Sequence, residues 1–362
     1  MSINKFIFFI ILLFHLTYPS QAGFTCKTTT TSTCESLAGY VTPNATTLSD
    51  IASLFGLLDF NSLLGANSLP HDTSPDKLVA AKETIIIPFT CSCNNGTGIS
   101  ETSPIYRVLP GDFLYHIATN IFGFLATTDE IAVANDISNP DLIFDDQLLW
   151  IPLPCSCDKV DGNQVVHYAY VVPSSRSLKM VAKQFGVTVE SLSKLNEHVA
   201  DGEVLEAELV LDIPLRACTS SVSVASPDYP LLISNGSYVF TANNCVKCSC
   251  DSNYKNWTLY CERSPPDVKI QNWQQCPTVQ CTGSAVASNG LNYALGQEIQ
   301  DSTCNQPNCA YTGYNSLSGT ISVSPLNVDT CHGGIPSPPS LFPSPVNPLA
   351  PPSTRTTTPK SK

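Results

Sequence analysis

The apolar positions of the chain recur in a fixed order. Leu48, Ile51, Ala52 and Phe55 follow the i, i+3, i+4, i+7 spacing of one helical face, and the stripe returns as Leu114, Ile117, Ala118 and Ile121, then as Leu178, Val181, Ala182 and Phe185. Each stripe is preceded by a Tyr (Tyr40, Tyr106, Tyr170), followed by an Asn (Asn67, Asn135, Asn196) and closed by Ile-Pro (Ile87-Pro88, Ile151-Pro152, Ile213-Pro214). In the middle copy Tyr106 and Val108 alternate as a strand, Pro110-Gly111-Asp112 makes a turn, Thr128 to Ala134 forms a second helix and Leu148 to Ile151 a returning strand. The pattern predicts an α+β chain of three small βααβ units.

A unit of fewer than ~50 residues buries too little core to stand alone. The cysteines offset that deficit. Cys91-Ser92-Cys93 follows the first Ile-Pro, Cys155-Ser156-Cys157 follows the second, and Cys26 and Cys34 lie upstream of the first unit. Each bridge among them is worth ~2 to 4 kcal/mol through the entropy it removes from the unfolded chain. Neighbours in Cys-x-Cys rarely pair with each other, so bridges between units are expected. Spacing alone leaves all the pairings of six cysteines open.

After Cys218 the texture becomes Asn-, Ser-, Tyr- and Cys-rich, with strand-like pieces at Ser237 to Thr241, Thr258 to Cys261, Ala310 to Tyr314 and Thr320 to Val323. Ten cysteines fall here, and a disulfide-stapled β domain is expected. Cys245-x2-Cys248-x-Cys250 has a faint likeness to a zinc knuckle but lacks a paired His motif. From Ile335 the Pro-, Ser- and Thr-rich sequence reads as a disordered stalk. The expected division is 1–22, 23–98, 99–160, 161–217, 218–333 and 334–362: a leader, three repeat units, a cysteine-rich β domain and a tail.

Residues 1–22 carry Lys5, an apolar run from Phe6 to Phe14 and a small-x-small close at Ser20-Gln21-Ala22, the pattern of a secretory signal peptide. Sixteen cysteines and sequons at Asn44, Asn95, Asn235 and Asn256 agree with an exported glycoprotein. The chain is 13% charged with a net charge of −12, which argues against nucleic acid and anionic membrane surfaces and suits a neutral ligand.

No paired carboxylates, nucleophile elbow, phosphate loop or kinase signature emerges, so neither an enzyme nor a cofactor is expected. His116 sits beside the apolar stripe and reads as structural. Binding remains. In the middle unit the turn Leu109, Pro110, Gly111, Asp112, Phe113 and the later loop Ile137 to Ile143 (with Asn139, Pro140, Asp141 and Leu142) can lie side by side as a shallow groove. Backbone groups at Gly111 and around Asn139-Pro140-Asp141 suit an acetamide, and Leu109, Leu142 and Ile143 suit the N-acetyl methyl and sugar faces. A neutral N-acetylglucosamine oligomer fits. The first unit has Thr42-Pro43-Asn44 at the turn, with a sequon, and the third has Val172-Pro173-Ser174-Ser175, so both are expected to be mainly structural.

The three copies of Tyr, Leu-x2-Ile-Ala-x2-Phe, Asn and Ile-Pro with Cys-x-Cys spacers resemble the LysM modules of plant extracellular pattern receptors, in particular the chitin elicitor-binding protein family. The resemblance covers roughly Cys26 to Cys331. It implies chitin oligosaccharide binding through the two loops of the second module, with Ile143 important. It also implies the pairs Cys26 with Cys93, Cys34 with Cys157 and Cys91 with Cys155, and a LysM receptor-like kinase as signalling partner in innate immunity. A long oligosaccharide bridging two copies of the chain is a further expectation. Relatives end in a glycosylphosphatidylinositol signal with a hydrophobic tail, whereas this sequence closes on Lys360 and Lys362. The expectation is a secreted protein at the cell surface or wall, free or lacking the native terminus here. Peptidoglycan binding and a structural cell-wall role stand as alternatives.

Overall fold

The computed structural model describes residues 23–27, 32–199, 204–251, 257–281, 293–296 and 309–325. The expected leader and tail, the sequon at Asn256 and Cys304 and Cys331 lie outside them.

The first unit begins after β1 (Phe24–Thr25) with β2 (Ser32–Val41) and a short pair, β3 (Thr46–Thr47) and β4 (Leu78–Val79). Between the members of that pair stand α1 (Leu48–Leu54) and α2 (Phe60–Ala66), and β5 (Thr84–Asn94) returns antiparallel to β2 before β6 (Thr97–Ser100) folds back on it. Helix α1 starts at Thr47 because its hydroxyl accepts the Asp50 N–H while the Asp50 carboxylate accepts the Thr47 N–H.

The second unit has β7 (Ile105–Arg107), α3 (Leu114–His116, continuing as a π-helical turn over Ile117–Ile121), α4 (Thr128–Ala134) and β8 (Leu148–Trp150). The π turn corrects the apolar stripe. Phe122, rather than the half-buried Ile121, fills the fully buried place that Phe55 takes in the first unit. The second unit carries one extra residue between Leu114 and Phe122, and a Phe122 N–H bond to the Ile117 carbonyl absorbs it. The glycine after each ring, Gly56, Gly123 or Gly186, has φ of 58 to 66°, the left-handed helix ending that favours glycine.

The third unit comprises β9 (Val165–Val171), α5 (Leu178–Phe185), α6 (Val189–Leu195) and β10 (Val210–Thr219), with β11 (Leu232–Ser234) beyond it. Seven strands form one sheet in the order β1-β6-β5-β2-β9-β10-β11. The first and third units therefore share a sheet, joined where β2 and β9 run parallel at Leu37–Tyr168 and Ala38–Ala169. Strand β10 crosses the expected boundary after residue 217, so the sheet continues into the cysteine-rich region without a break.

The second unit keeps its own hairpin of β7 and β8 and is attached otherwise. Phe55 meets Phe122 edge-on at 5.7 Å between ring centres, Tyr40 packs on Phe55 at 5.0 Å, and the Tyr40 hydroxyl donates to the Ile121 carbonyl. Burial pushes the Tyr40 phenol up to about 12, so it stays a neutral donor. Cys26–Cys93, Cys34–Cys157 and Cys91–Cys155 close the junction, the latter two tying the first unit to the segment after β8.

The recurring Asn is the common joint. The Asn135 side-chain amide donates to the Ile131 and Trp150 carbonyls and its oxygen accepts the Trp150 N–H; Asn67 does the same with Leu63 and Ile86, and Asn196 with Leu192 and Asp212. One side chain thus satisfies the end of the second helix and pairs with the closing strand like another strand. A second shared device is a non-glycine residue in the left-handed region before that strand. Lys82, Asp146 and Glu208 have φ of 64, 65 and 71°, and their N–H groups donate to the carbonyls of Thr42, Val108 and Val172.

The cysteine-rich region adds a three-stranded sheet, β12 (Tyr238–Thr241), β13 (Val246–Ser249) and β14 (Tyr260–Arg263), then the pairs β15 (Gln280–Cys281) with β16 (Tyr293–Ala294) and β17 (Cys309–Asn315) with β18 (Thr320–Pro325). Its bridges are Cys218–Cys250, Cys245–Cys276, Cys248–Cys261 and Cys281–Cys309. The three sulfurs of the knuckle-like run are thus all consumed in disulfides, which removes the zinc reading. This region docks on the first unit. Tyr238 packs so tightly on α2 that a Cβ on Gly65 would lie 2.0 Å from the Tyr238 carbonyl oxygen.

Candidate functional site

Strand β7 runs on past Arg107, and the Val108 N–H donates to the Gln147 carbonyl while the Asp146 N–H donates back to Val108. That two-way pairing joins residue 108, just before the turn that starts at Leu109, to residues 146 and 147, just after the loop that ends at Ile143.

The turn is built around Asp112. Its carboxylate accepts the Tyr106 hydroxyl at 2.7 Å and the Leu109 N–H at 2.8 Å, while the Asp112 N–H donates to the Leu109 carbonyl. The His116 ring nitrogen stands 3.7 Å from the other carboxylate oxygen. Burial, then the hydrogen bond to Asp112 and its charge, push the Tyr106 phenol well above its ordinary range, which keeps it a donor to that carboxylate. At Gly111 φ is 90°, a backbone open to glycine, and a Cβ there would meet nothing within 4 Å. Gly111 is exposed, and the space where a side chain would stand is open. Leu109, Pro110 and Phe113 are exposed beside it.

In the later loop Asn139, Asp141 and Leu142 are exposed, and Ile137, Pro140 and Ile143 are half-buried. The Asn139 side-chain oxygen accepts the Asp141 N–H and its carbonyl accepts the Leu142 N–H, a turn that lifts Leu142 outward to 60% exposure. Ile137 and Ile143 pack against the core shared with the first unit. Ile143 is therefore partly a core residue, and a charge there would test the fold together with binding. Two exposed aromatic residues beside the site escape helix-period reasoning: Tyr115, stacked on Phe113 with 6.5 Å between ring centres, and Phe144, 71% exposed.

Three of the acidic side chains nearby have structural partners. Glu130 caps α4 by accepting the Thr127 N–H, Asp146 stands 3.5 Å from Arg107, and Asp112 holds the turn.

The corresponding positions of the other units differ. In the first, Thr46 takes the place of Asp112. Counting from the shared Asn, Leu69 and His71 take the places of Ile137 and Asn139. Both are engaged by the cysteine-rich region: the Leu69 carbonyl accepts the Tyr238 hydroxyl at 2.7 Å, and the His71 ring lies 3.0 Å from the Asp267 carboxylate and edge-on to Phe240. Asn44 is exposed at the turn. In the third unit Arg176 stands at the Asp112 position, and the charge of Arg176 is felt by Tyr170.

A family model described as LysM domain matches residues 106–152 and 170–214, the second and third units. The chain is 45% identical over 325 residues to LysM domain-containing GPI-anchored protein 2 of Arabidopsis thaliana, covering 89% of this chain and 88% of that protein. Over 304 residues it is 41% identical to the chitin elicitor-binding protein of Oryza sativa subsp. japonica, covering 83% and 80% of the two chains. Among solved structures, the ectodomain of a receptor like kinase superposes with a TM-score of 0.43 at 22% identity, over 52% of this chain and 94% of that one. Among the described residues no helix is long and apolar enough to cross a membrane.

Proposed function

The chain belongs to the plant LysM-domain protein family that includes these GPI-anchored and chitin elicitor-binding members, and from that premise we propose that it is a non-catalytic extracellular receptor component binding chitin oligosaccharides. The first unit is read as a third, divergent LysM module, and 23–98, 99–160 and 161–217 as the three modules. The binding surface is the second module's pair of loops, Leu109 to Phe113 and Ile137 to Ile143.

The observation that carries this reading is the Asp112-centred turn. It holds an exposed Gly111 between exposed Leu109 and Phe113, and the later loop turns Leu142 outward, with no charged side chain required of the ligand. An acetamide needs one donor and one acceptor, and the sugar faces need apolar cover. The first module's corresponding loop is already engaged by the cysteine-rich region, which is consistent with a structural role for that module.

We place the protein at the outer plasma-membrane surface, in keeping with relatives named as GPI-anchored. Signalling falls to a separate LysM receptor-like kinase, and one long oligosaccharide joins two copies of the chain by raising effective concentration. Calorimetric titration of the full chain with N-acetylglucosamine trimer and, separately, with a peptidoglycan fragment tests the specificity. Heat with the trimer supports chitin; heat with the peptidoglycan fragment alone moves the assignment to peptidoglycan, and heat with neither rejects the binding reading.

A further inference from the structure

A cleft of about 470 Å³ lies between the second and third units, within the ~300 to 1,000 Å³ range of ligand sites. One wall comes from α3 and the start of α4, including Tyr115, Thr119 and Thr128; the other comes from His198, Glu208 and Leu209 of the third unit, with Gly23 and Phe24 also lining the cleft. Those third-unit residues are not arbitrary. His198 follows Asn196 as Ile137 follows Asn135, and Glu208 has the left-handed backbone and carbonyl pairing of Asp146. The cleft is thus where His198 and Glu208, near the two ends of the third unit's corresponding connection, face the helices of the second.

Tyr115 links the cleft to the turn of the second unit. Phe113 closes that turn, its ring is stacked on Tyr115 with planes 6° apart, and Tyr115 lines the cleft. Both rings are more than half exposed. Parallel exposed rings offer flat apolar faces to the C–H faces of pyranose units, and the cleft beyond offers threonine hydroxyls, an imidazole and a carboxylate to sugar hydroxyls.

We infer that the cleft is an extended subsite for the same neutral N-acetylglucosamine strand, which leaves the second unit's loops over Phe113 and Tyr115 and enters between the second and third units. This rests on the chitin-binding reading and adds to it a physical basis for chain-length selection. A trimer fills the loops alone. Longer oligomers gain contacts from Tyr115 and His198.

The test is calorimetry on the full chain with N-acetylglucosamine trimer and octamer, for the unmutated protein, Tyr115→Ala and His198→Ala. Both side chains are exposed, and an unchanged thermal midpoint verifies the fold of each variant. The expected result is octamer affinity reduced about tenfold in each variant, with trimer affinity changed by less than about twofold. Octamer affinity unchanged in both variants overturns the extended subsite while leaving the loop site standing. Equal losses for trimer and octamer assign the two residues to the loop site and also overturn it. No heat from the unmutated chain with either oligomer rejects the chitin reading itself.

Discussion

The Asp112 carboxylate accepts the Tyr106 hydroxyl at 2.7 Å, and this bond distinguishes the second unit from its two copies. Tyr40, at the same place in the first unit, donates instead to the Ile121 carbonyl across the junction between units. The same residue type therefore holds the Asp112-centred turn in one copy and an inter-unit seam in another. Which it does depends on whether an acid stands six residues later.

Asp112→Ala leaves the Tyr106 hydroxyl and the Leu109 N–H without their acceptor. The expected cost is ~1 to 3 kcal/mol of stability, with at least about a tenfold loss of trimer affinity, read by denaturant unfolding and calorimetry. Unchanged affinity in a folded variant would separate the turn from binding.

Asn135→Ala removes three hydrogen bonds, one that closes the end of α4 at Ile131 and two that join it to Trp150 of β8. A loss of ~2 to 4 kcal/mol is expected, with amide exchange accelerated at Trp150. Asn135→Asp should recover little, because the two bonds to carbonyl oxygens need an amide donor. Full recovery by Asp would contradict the joint.

Helix α2 offers a change whose sign is set by tertiary contact. Gly to Ala inside a helix ordinarily stabilises by up to ~1 kcal/mol. At Gly65 the new Cβ meets the Tyr238 carbonyl at 2.0 Å, so Gly65→Ala is expected to destabilise by ~1 to 3 kcal/mol and to raise amide exchange in β12. A stabilised variant would mean that the cysteine-rich region does not seat on α2.

His167 and Asp212 form a buried pair on β9 and β10, with the imidazole Nδ1 at 2.8 Å from the carboxylate and Nε2 facing the Asp158 carbonyl at 2.8 Å. Burial alone would depress the imidazole pKa, but the charge and hydrogen bond of Asp212, with the Asp158 carbonyl, leave it raised. The folded state therefore holds this proton more tightly than the unfolded chain. Its stabilisation is complete below the ordinary imidazole pKa of ~6.5 and fades as pH rises through the higher folded value. The thermal midpoint should fall from pH 6 to pH 8.5 by more in the unmutated protein than in His167→Gln; equal slopes would remove the pair from this role.

Much of the repeat was legible because burial enforces period. Leu114, Ile117 and Ala118 face a core and so announce a helix, and the recurring Asn and Ile-Pro mark a joint whose chemistry only coordinates reveal. The substitution of Phe122 for Ile121 in that core was hidden, since one extra residue absorbed by a π turn looks like an ordinary stripe ending one position early. The left-handed Lys82, Asp146 and Glu208 carry no glycine to betray them. Cysteine spacing left many pairings, whereas the fold has one set. At the site, Pro110-Gly111-Asp112 displayed its turn chemistry locally, but the half-burial of Ile143, the cover over Leu69 and His71, and the cleft at Tyr115 and His198 all arise from segments far apart in the chain.

The central claim is that the exposed apolar rims of the two loops hold a neutral oligosaccharide. Calorimetry of N-acetylglucosamine trimer against the Leu109→Glu, Leu142→Glu double variant tests it most directly, because both side chains are more than half exposed and their replacement leaves the core intact. The account predicts measurable binding by the unmutated protein and none by the variant at an unchanged thermal midpoint. Equal affinity in the two proteins would contradict it.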